Sequence, residues 1–352
     1  MSHFTAAVIG TGGIAKAHAL YYTGSDRVDL VAGCDFNEGR LNAYCDTHGI
    51  ARRYTDYQAM LAEVQPDIVS VCTWNPTHME LAIAAIESGA KAVISEKPMS
   101  DELGGPMDAV ALAEERGCHF VVHHQTRFCA GYNATREMVA AGAIGRPVSI
   151  HWRSGGGMLN MASHLIDAYR WILGNPDWTD VLGWIQRHTN RFERGSYAEE
   201  KTHALIRFGE DEMILSMDLE DGVKYRESRL SGPDGIINFN REQAVLVNSE
   251  GIHEPKASPQ PNGYLAELLA WMDGGPVHRN VASQALVTQQ IMMAIYESAR
   301  TRSMVMPPFV KRESPLEEMI LAGELPYEGE PYDCRIPAAL EYALEQRATN
   351  RA

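Results

Sequence analysis

Short apolar runs alternate with helical patterns along the first third of the chain. The runs AAVIG, VDLVAGC, DIVSVCT, KAVISE and HFVVHH lie between Ala6 and His124, separated by segments such as ELAIAAIESG and DAVALAEERG. Short apolar runs with helices between them are typical of buried parallel strands. The pattern predicts an α/β domain over residues 1–124, built on a doubly wound parallel sheet.

The pattern changes in the second half of the chain. Amphipathic helices are predicted near Asn133–Ala141 and over Met158–Leu173, Tyr264–Met272 and Ser283–Arg300. Between them lie short, β-rich segments bounded by Gly, Asp or Pro, namely PVSIHWRS, DVLGWIQRH, THALIRFG, EMILSMDLE, KYRESRLSG and GIINFN. Such segments indicate a large, mostly antiparallel, open sheet. Residues 125–302 are therefore predicted to form an α+β domain.

The tail, residues 303–352, is rich in Pro and Glu but carries spaced apolar residues, namely Phe309, Met319, Leu321, Leu325, Tyr327 and Tyr332. We expect this C-terminal extension to be ordered by packing on the body or on a neighbouring subunit. A large open sheet face normally needs covering, so a homodimer or homotetramer is expected.

Composition narrows the class of protein. The formal net charge of -15 excludes a phosphate backbone as a natural partner, so no nucleic acid is expected. No segment approaches the roughly 20 apolar residues of a membrane helix, and the N-terminus has no apolar leader, which favours a cytoplasmic protein. The six cysteines form no CxxC pair and the histidines no HExxH motif, so neither disulfides nor a metal site is predicted.

The segment AAVIGTGGIAKAH indicates a dinucleotide site. Gly10 permits the tight turn after the first strand, Gly12 lets the backbone approach a pyrophosphate, and Ala15 allows close packing of helix on strand. Gly13 and Ile14 complete the loop, and the anion would lie at the helix N-terminus. The pattern alone also fits a simple glycine-rich turn, and the surrounding strand and helix favour the cofactor.

Asp35 ends the second strand, where a carboxylate can accept hydrogen bonds from the adenosine ribose hydroxyls. This position favours NAD over NADP. Arg40 could meet a ribose phosphate, but Asp35 would repel that phosphate. An Asp at a strand end is also often only a turn or helix cap.

Further motifs follow in order: CTWNPTH, SEKP, HHQTRF and GGGMLNMASHLIDAYRWILG. With the glycine loop, they make the chain from Phe4 to Arg300 resemble the glucose-fructose oxidoreductase, inositol dehydrogenase and rhizopine catabolism (Gfo/Idh/MocA) family. The resemblance implies an N-terminal Rossmann domain that binds NAD, a substrate domain, and oxidoreductase activity on sugars or polyols.

The resemblance also implies roles for the SEKP turn. Lys97 would contact both the nicotinamide ribose and the substrate and would be catalytic, with Glu96 beside the cofactor and Pro98 shaping the turn. A lysine at the carboxyl end of a parallel strand lies at the edge where such sheets bind ligands, although an isolated one is usually a solvated surface residue.

The loop after the fourth strand is expected to border the cofactor through Thr73, Asn75 and His78, with Trp74 beside them. His78 could instead cap the helix that follows. The choice between these two interpretations is left open by the sequence.

His164, in NMASHLID, matches the family's histidine at the start of the second domain. A histidine beside a carbinol can remove the hydroxyl proton, because the ordinary pKa of this side chain lies near neutral pH. The family pattern resembles a carboxylate one turn earlier, where this chain has Asn160; an amide can bind a substrate hydroxyl but cannot relay a proton. Asp167, on the same helix face, could orient the ring or form a salt bridge.

Two arginines complete the predicted site. Arg127 and Arg153 could bind substrate hydroxyls or a carboxylate, although an arginine near a domain junction is more often in a structural ion pair. Trp152 could stack on a sugar ring, but a tryptophan in a strand is more often core.

The predicted function is hydride transfer between a secondary hydroxyl carbon of a sugar, cyclitol or sugar derivative and NAD. One alternative is a redox-assisted glycosidase that uses tightly held NAD; it would need an acid for the leaving group, which the sequence does not identify. Another is a non-catalytic sugar or dinucleotide sensor on the same fold. Retention of Lys97 and His164 favours the enzymes over the sensor.

Overall fold

A computed structural model describes residues 2–210, 213–255, 263–325 and 327–349. The chain groups into two compact units. The first comprises Met1–Ser100, Gly104–His123 and Asn262–Leu286, and the second comprises Asp101–Leu103, His124–Pro261 and Val287–Ala352. Asn262–Leu286 therefore group with the first unit, whereas the sequence pattern assigned them to the substrate domain.

The first unit contains a six-stranded parallel sheet of order β3-β2-β1-β4-β5-β6. Its strands are β1 (Phe4–Ile9), β2 (Val28–Cys34), β3 (Arg52–Tyr54), β4 (Ile68–Val71), β5 (Ala92–Ser95) and β6 (His119–Val122). Strand order reverses between β1 and β4, and such a switch point is where doubly wound sheets bind ligands. The predicted α/β class and parallel sheet are confirmed.

Two of the helices of this unit begin at a side-chain cap. The helices of the unit are α1 (Ala15–Thr23), α2 (Glu38–His48), α3 (Tyr57–Val64), α4 (His78–Glu87), α5 (Gly104–Arg116) and α8 (Gly263–Met272). The side chains of Asn37 and Asp56 accept backbone N–H groups at the starts of α2 and α3. In α8, Tyr264, Leu265 and Leu268 are buried, which explains why this helix groups with the first unit.

The second unit contains an eight-stranded sheet of order β16-β15-β14-β13-β7-β12-β11-β8. The strands are β7 (Ser149–Ser154), β8 (Trp178–Gln186), β11 (Lys201–Phe208), β12 (Met213–Glu220), β13 (Glu227–Gly232), β14 (Gly235–Phe239), β15 (Ala244–Asn248) and β16 (Gly251–His253). Only β7 and β12 pair in parallel among these strands. The prediction of a mostly antiparallel sheet is confirmed.

A smaller sheet of order β10-β9-β17 accompanies it, formed by β9 (Thr189–Glu193), β10 (Ser196–Tyr197) and β17 (Glu328–Asp333). The helices are α6 (Ala130–Ala140), α7 (Met158–Ile172), α9 (Ala282–Thr301), α10 (Pro315–Leu321) and α11 (Pro337–Thr349). In the tail, Phe309 and Met319 are buried, whereas Leu321 and Tyr332 are exposed. No helix of the described residues has both the length and the apolar character that a bilayer crossing requires.

Candidate active site

The turn after β1 is shaped for close approach of a ligand. Gly10 has a φ of +87°, and a Cβ there would lie 2.8 Å from the carbonyl of Cys72 and from Cγ2 of Thr73. At Gly12 and Gly13, by contrast, a Cβ would meet nothing within 4 Å. The loop therefore has open space on one side and leads into α1, whose first turn contains no acidic side chain. This arrangement fits the pyrophosphate of a dinucleotide.

Asp35 connects the glycine loop to the end of β2. Its Oδ2 accepts hydrogen bonds from the backbone N–H of Thr11 (2.9 Å) and from the Thr11 hydroxyl (3.0 Å), and its Oδ1 accepts the Asn37 N–H (2.9 Å). The Arg40 Nε lies 3.2 Å from the same Oδ2. A carboxylate has about four acceptor positions, so Asp35 retains capacity for a ribose hydroxyl. Arg40 is neutralised by Asp35, and the pair favours NAD.

The loop after β4 carries two predicted cofactor residues, Asn75 and His78, whose hydrogen bonding differs. The buried Nδ2 of Asn75 has no hydrogen-bond partner among the described residues, as expected of a donor that faces a cofactor. The His78 ring lies between Pro98 O (2.7 Å) and Thr73 O (3.2 Å) and is 1% exposed. Burial lowers the pKa of His78, while the hydrogen bond to the Pro98 carbonyl opposes this effect. These contacts are those of a structural residue of the loop, and the cofactor contact of His78 stays a prediction.

Glu96 is turned into the protein. Its Oε1 accepts hydrogen bonds from His18 Nε2 (3.1 Å) and His123 Nδ1 (2.6 Å), and its Oε2 accepts the Lys97 N–H (3.3 Å). Burial by itself would raise the pKa of Glu96, but the two histidines outweigh it and hold this pKa well below its usual range. The Glu96 carboxylate thus contacts the backbone of Lys97, and its place beside the cofactor stays a prediction.

His18 and His123 were not recognised from the sequence as members of this group. Their other ring nitrogens contact the hydroxyls of Ser70 (2.9 Å) and Tyr21 (3.0 Å). The three ligand-type side chains lie close enough to suggest a metal site. The 2.6 Å distance between His123 and Glu96 is, however, a hydrogen-bond distance, and two ligands of one zinc ion lie farther apart. The geometry is that of a hydrogen-bonded chain.

Lys97 is the partly exposed position in a buried stretch. From Ala92 to Ser100 every residue except Lys97 is buried. The Glu96 carboxylate binds the Lys97 N–H from inside, while the Lys97 side chain reaches the accessible side. The fold therefore presents one cation at the carboxyl end of β5, the edge of the sheet that carries the glycine turn.

Like Lys97, His164 is the partly exposed residue of an otherwise buried segment, here helix α7 of the second unit. All residues of α7 are described, and each one except His164 is buried. Its Nδ1 lies 3.5 Å from the Thr126 hydroxyl, and the His124 ring stands 6.2 Å away in an edge-on arrangement. Asn160 lies one turn earlier on the same face. Thus α7 exposes the His164 imidazole, with the buried Asn160 amide one turn before it.

Arg127 forms a buried ion pair in the second unit. It is 0% exposed, and its Nε and Nη2 each donate to the Asp167 carboxylate at 2.6 Å. His124 Nδ1 lies 3.2 Å from the same carboxylate. Burial alone would raise the pKa of Asp167, but Arg127 and His124 overcome it and lower that pKa. These contacts are those of the structural alternative, an ion pair between Arg127 and Asp167, and substrate binding by Arg127 stays a prediction.

Arg153 and Trp152 lie on opposite faces of β7. Trp152 is 1% exposed and belongs to the core. Arg153 is half-exposed on the other face, 4.0 Å from Glu220 and beside the ring of Tyr225. Its predicted role in substrate binding receives no support from these contacts.

Comparisons with known proteins agree with this geometry. Residues 4–124 match the model of the Gfo/Idh/MocA oxidoreductase family, NAD-binding Rossmann fold, and residues 136–306 match its C-terminal alpha/beta domain. D-glucoside 3-dehydrogenase of Escherichia coli K12 is 27% identical over 85% of this chain and 96% of that protein. D-apiose dehydrogenase of Paraburkholderia graminis is 33% identical over 77% of this chain and 75% of that protein.

A solved structure shares the fold. Levoglucosan dehydrogenase, in complex with NADH and levoglucosan, superposes with a TM-score of 0.77 at 18% identity, covering 87% of this chain and 100% of that one. The family models together span most of the chain, and the glycine turn fits the cofactor that the first model names. The chain is therefore an NAD-dependent oxidoreductase and belongs to the Gfo/Idh/MocA family.

Proposed function

We propose that this oxidoreductase interconverts a secondary alcohol and a ketone on a sugar, cyclitol or sugar derivative, with Lys97 and His164 as its catalytic residues. The observation that carries the proposal is that each of them is the accessible position in a stretch that is otherwise buried. The family's glucoside and apiose dehydrogenases support a carbohydrate substrate.

The roles of the residues follow from their chemistry. Bound NAD supplies the hydride acceptor. Lys97 donates hydrogen bonds to the nicotinamide ribose and the reacting hydroxyl, and Glu96 fixes its backbone. His164 removes the hydroxyl proton in the oxidation and returns it in the reduction. Asn160 binds a neighbouring substrate hydroxyl.

The proposal is tested with purified protein and NAD against a panel of monosaccharides, cyclitols, uronates and glycosides. We expect at least one compound to produce NADH, measured by nicotinamide absorbance. Release of an aryl aglycone without NADH accumulation would identify a redox-assisted glycosidase instead. Tight NAD binding without turnover of any compound would identify a sensor and overturn the proposal.

We further propose that the protein is a homodimer or homotetramer assembled through the open sheet face. Leu182, Trp184, Leu205 and Ile214 are 46%, 47%, 46% and 38% exposed on neighbouring strands. Exposed apolar side chains on one face of a sheet support an association surface there. Trp184→Asp is expected to shift the sedimentation coefficient to that of a monomer, whereas the control Leu20→Asp, at a 65% exposed position on α1, is expected to leave it unchanged. A monomeric wild type would refute this proposal.

A cytoplasmic location is proposed on chemical grounds. All six cysteines are free thiols, and three of them are buried in the first unit. Free thiols without disulfides are typical of a reducing compartment. Fractionation of the producing cells measures this directly, and recovery outside the cytoplasm would contradict it.

A further inference from the structure

Helix α7 begins against two buried glutamates. Glu193, at the end of β9, is 3% exposed, and Glu199, before β11, is 1% exposed. The Gly157 N–H donates to Glu193 (3.3 Å) and the Met158 N–H to Glu199 (2.6 Å). Both carboxylates therefore meet unsatisfied N–H groups at the positive end of the helix dipole, which stabilises them without a ligand.

Beyond this shared role, the two glutamates have different partners. Glu199 also accepts the hydroxyls of Thr202 (2.9 Å) and Tyr296 (2.7 Å), so it is satisfied within the core. Glu193 accepts the Asn160 Nδ2 at 2.8 Å. Because a carboxylate only accepts, this contact determines which end of the Asn160 amide faces it, and the amide oxygen points away from Glu193.

Arg335 is a further partner of Glu193. Its Nε donates to the same Oε1 at 3.0 Å, while half of the Arg335 side chain is exposed. Arg335 follows β17, which pairs in parallel with β9, and the Asp333 carboxylate accepts the Gly195 N–H at 2.8 Å. All of these C-terminal residues lie beyond residue 306, where the match to the family's second domain ends.

We infer that Glu193 is a positioning residue that orients Asn160 toward a substrate hydroxyl, and that Arg335 of the C-terminal extension holds Glu193 for this purpose. The inference rests on the proposed function, in which α7 carries the substrate-facing residues. Asn160 precedes His164 by one helical turn, so an amide fixed in orientation presents its oxygen as a hydrogen-bond acceptor beside the proton-accepting ring. The extension thereby acts on substrate recognition.

Glu193→Gln tests whether Glu193 fixes the orientation of the Asn160 amide. A glutamine side chain can both donate and accept, so Asn160 loses its single preferred orientation. We expect the KM for the sugar to rise about tenfold, the loss of roughly one well-formed hydrogen bond, while kcat and the KM for NAD change little. Unchanged sugar KM would overturn the inference.

Glu199→Gln is the matched control, because it removes the same charge from the same helix terminus. It is expected to lower the melting temperature but to leave the sugar KM within about twofold of wild type. Equal increases of the sugar KM in both variants would show that helix stabilisation alone explains the effect, and would overturn the inference.

Arg335 gives a test that does not depend on a core substitution. Arg335→Ala is expected to raise the sugar KM as Glu193→Gln does. Arg335→Lys is expected to keep the sugar KM close to that of the wild type. In an Asn160→Ala background, Glu193→Gln should add no further loss, whereas full additivity of the two effects would show that Glu193 does not act through Asn160.

Wild-type turnover in the same assay reports on the proposed function separately. If the wild type oxidises no sugar, the dissociation constant of methyl α-D-glucoside from the NAD-loaded proteins, measured by calorimetry, replaces the KM. The inference would then be supported if Glu193→Gln and Arg335→Ala bound the glucoside more weakly than the wild type while Glu199→Gln did not. Equal binding in all variants, or none in any protein, would overturn it.

Discussion

His164→Ala is expected to lower the turnover number by about a hundredfold or more, the contribution of a positioned acid–base group. The imidazole is the one accessible side chain of α7, so its removal leaves nothing on that helix to take the hydroxyl proton. NAD affinity should be retained, because the residues proposed to bind the cofactor lie in the first unit. Steady-state kinetics and NAD titration together measure both quantities.

Lys97→Ala is expected to lower the turnover number by a similar factor. It should also weaken NAD binding, because the lysine is proposed to contact the nicotinamide ribose. Suitable controls are His253→Ala and Lys91→Ala, which remove the same side-chain types from exposed positions. Near-normal turnover in the His164 or Lys97 variant would exclude that residue from the mechanism. A matching loss in a control would point to unfolding instead.

Asp35→Ala is expected to raise the KM for NAD by roughly 10- to 100-fold, the effect of losing hydrogen bonds to a charged acceptor. The change deletes the ribose acceptor and also the group that holds Thr11 of the glycine loop. It frees Arg40 from its ion pair and removes the charge that would repel a 2′-phosphate. The KM for NADP should therefore fall, and the difference between the KM values for NAD and NADP should become smaller.

The role of Arg40 in this change has its own control. In the double variant Asp35→Ala, Arg40→Ala, the improved use of NADP should disappear, because the freed guanidinium is the group expected to meet the phosphate. Parallel kinetics with both cofactors measure the effect. A wild type that used NADP as readily as NAD would contradict the assignment of Asp35.

The sequence predicted those parts of the structure that depend on residues close together in the chain. Buried parallel strands appear as continuous apolar runs, and the glycine turn has its chemistry within a few residues, so β1 and its loop were found correctly. The three-residue β3 (Arg52–Tyr54) carries no apolar run and was missed. Strands β9 and β17 were missed because TNRFE and EGEPYD do not alternate between apolar and polar residues.

The side-chain partners in the site could not be predicted in this way. Arg127 and Asp167 are forty residues apart, and Glu96 meets His18 across 78 residues. Such contacts depend on which strands become neighbours, and a motif alone does not report them. The motifs correctly placed Lys97 and Glu96 at the end of β5, but burial decided that only Lys97 reaches the accessible side.

The discontinuous first unit has a consequence for how the protein is made. Val122 donates its N–H to the carbonyl of Asn280 at 3.1 Å, and the Tyr264 ring stacks on Tyr21 at 5.7 Å. The ribosome must therefore translate every strand of the eight-stranded sheet before these contacts can form. A nascent chain that ends soon after β6 lacks the cover for Tyr21, so the nucleotide-binding unit completes its folding late in synthesis and exposes a surface for chaperones until then.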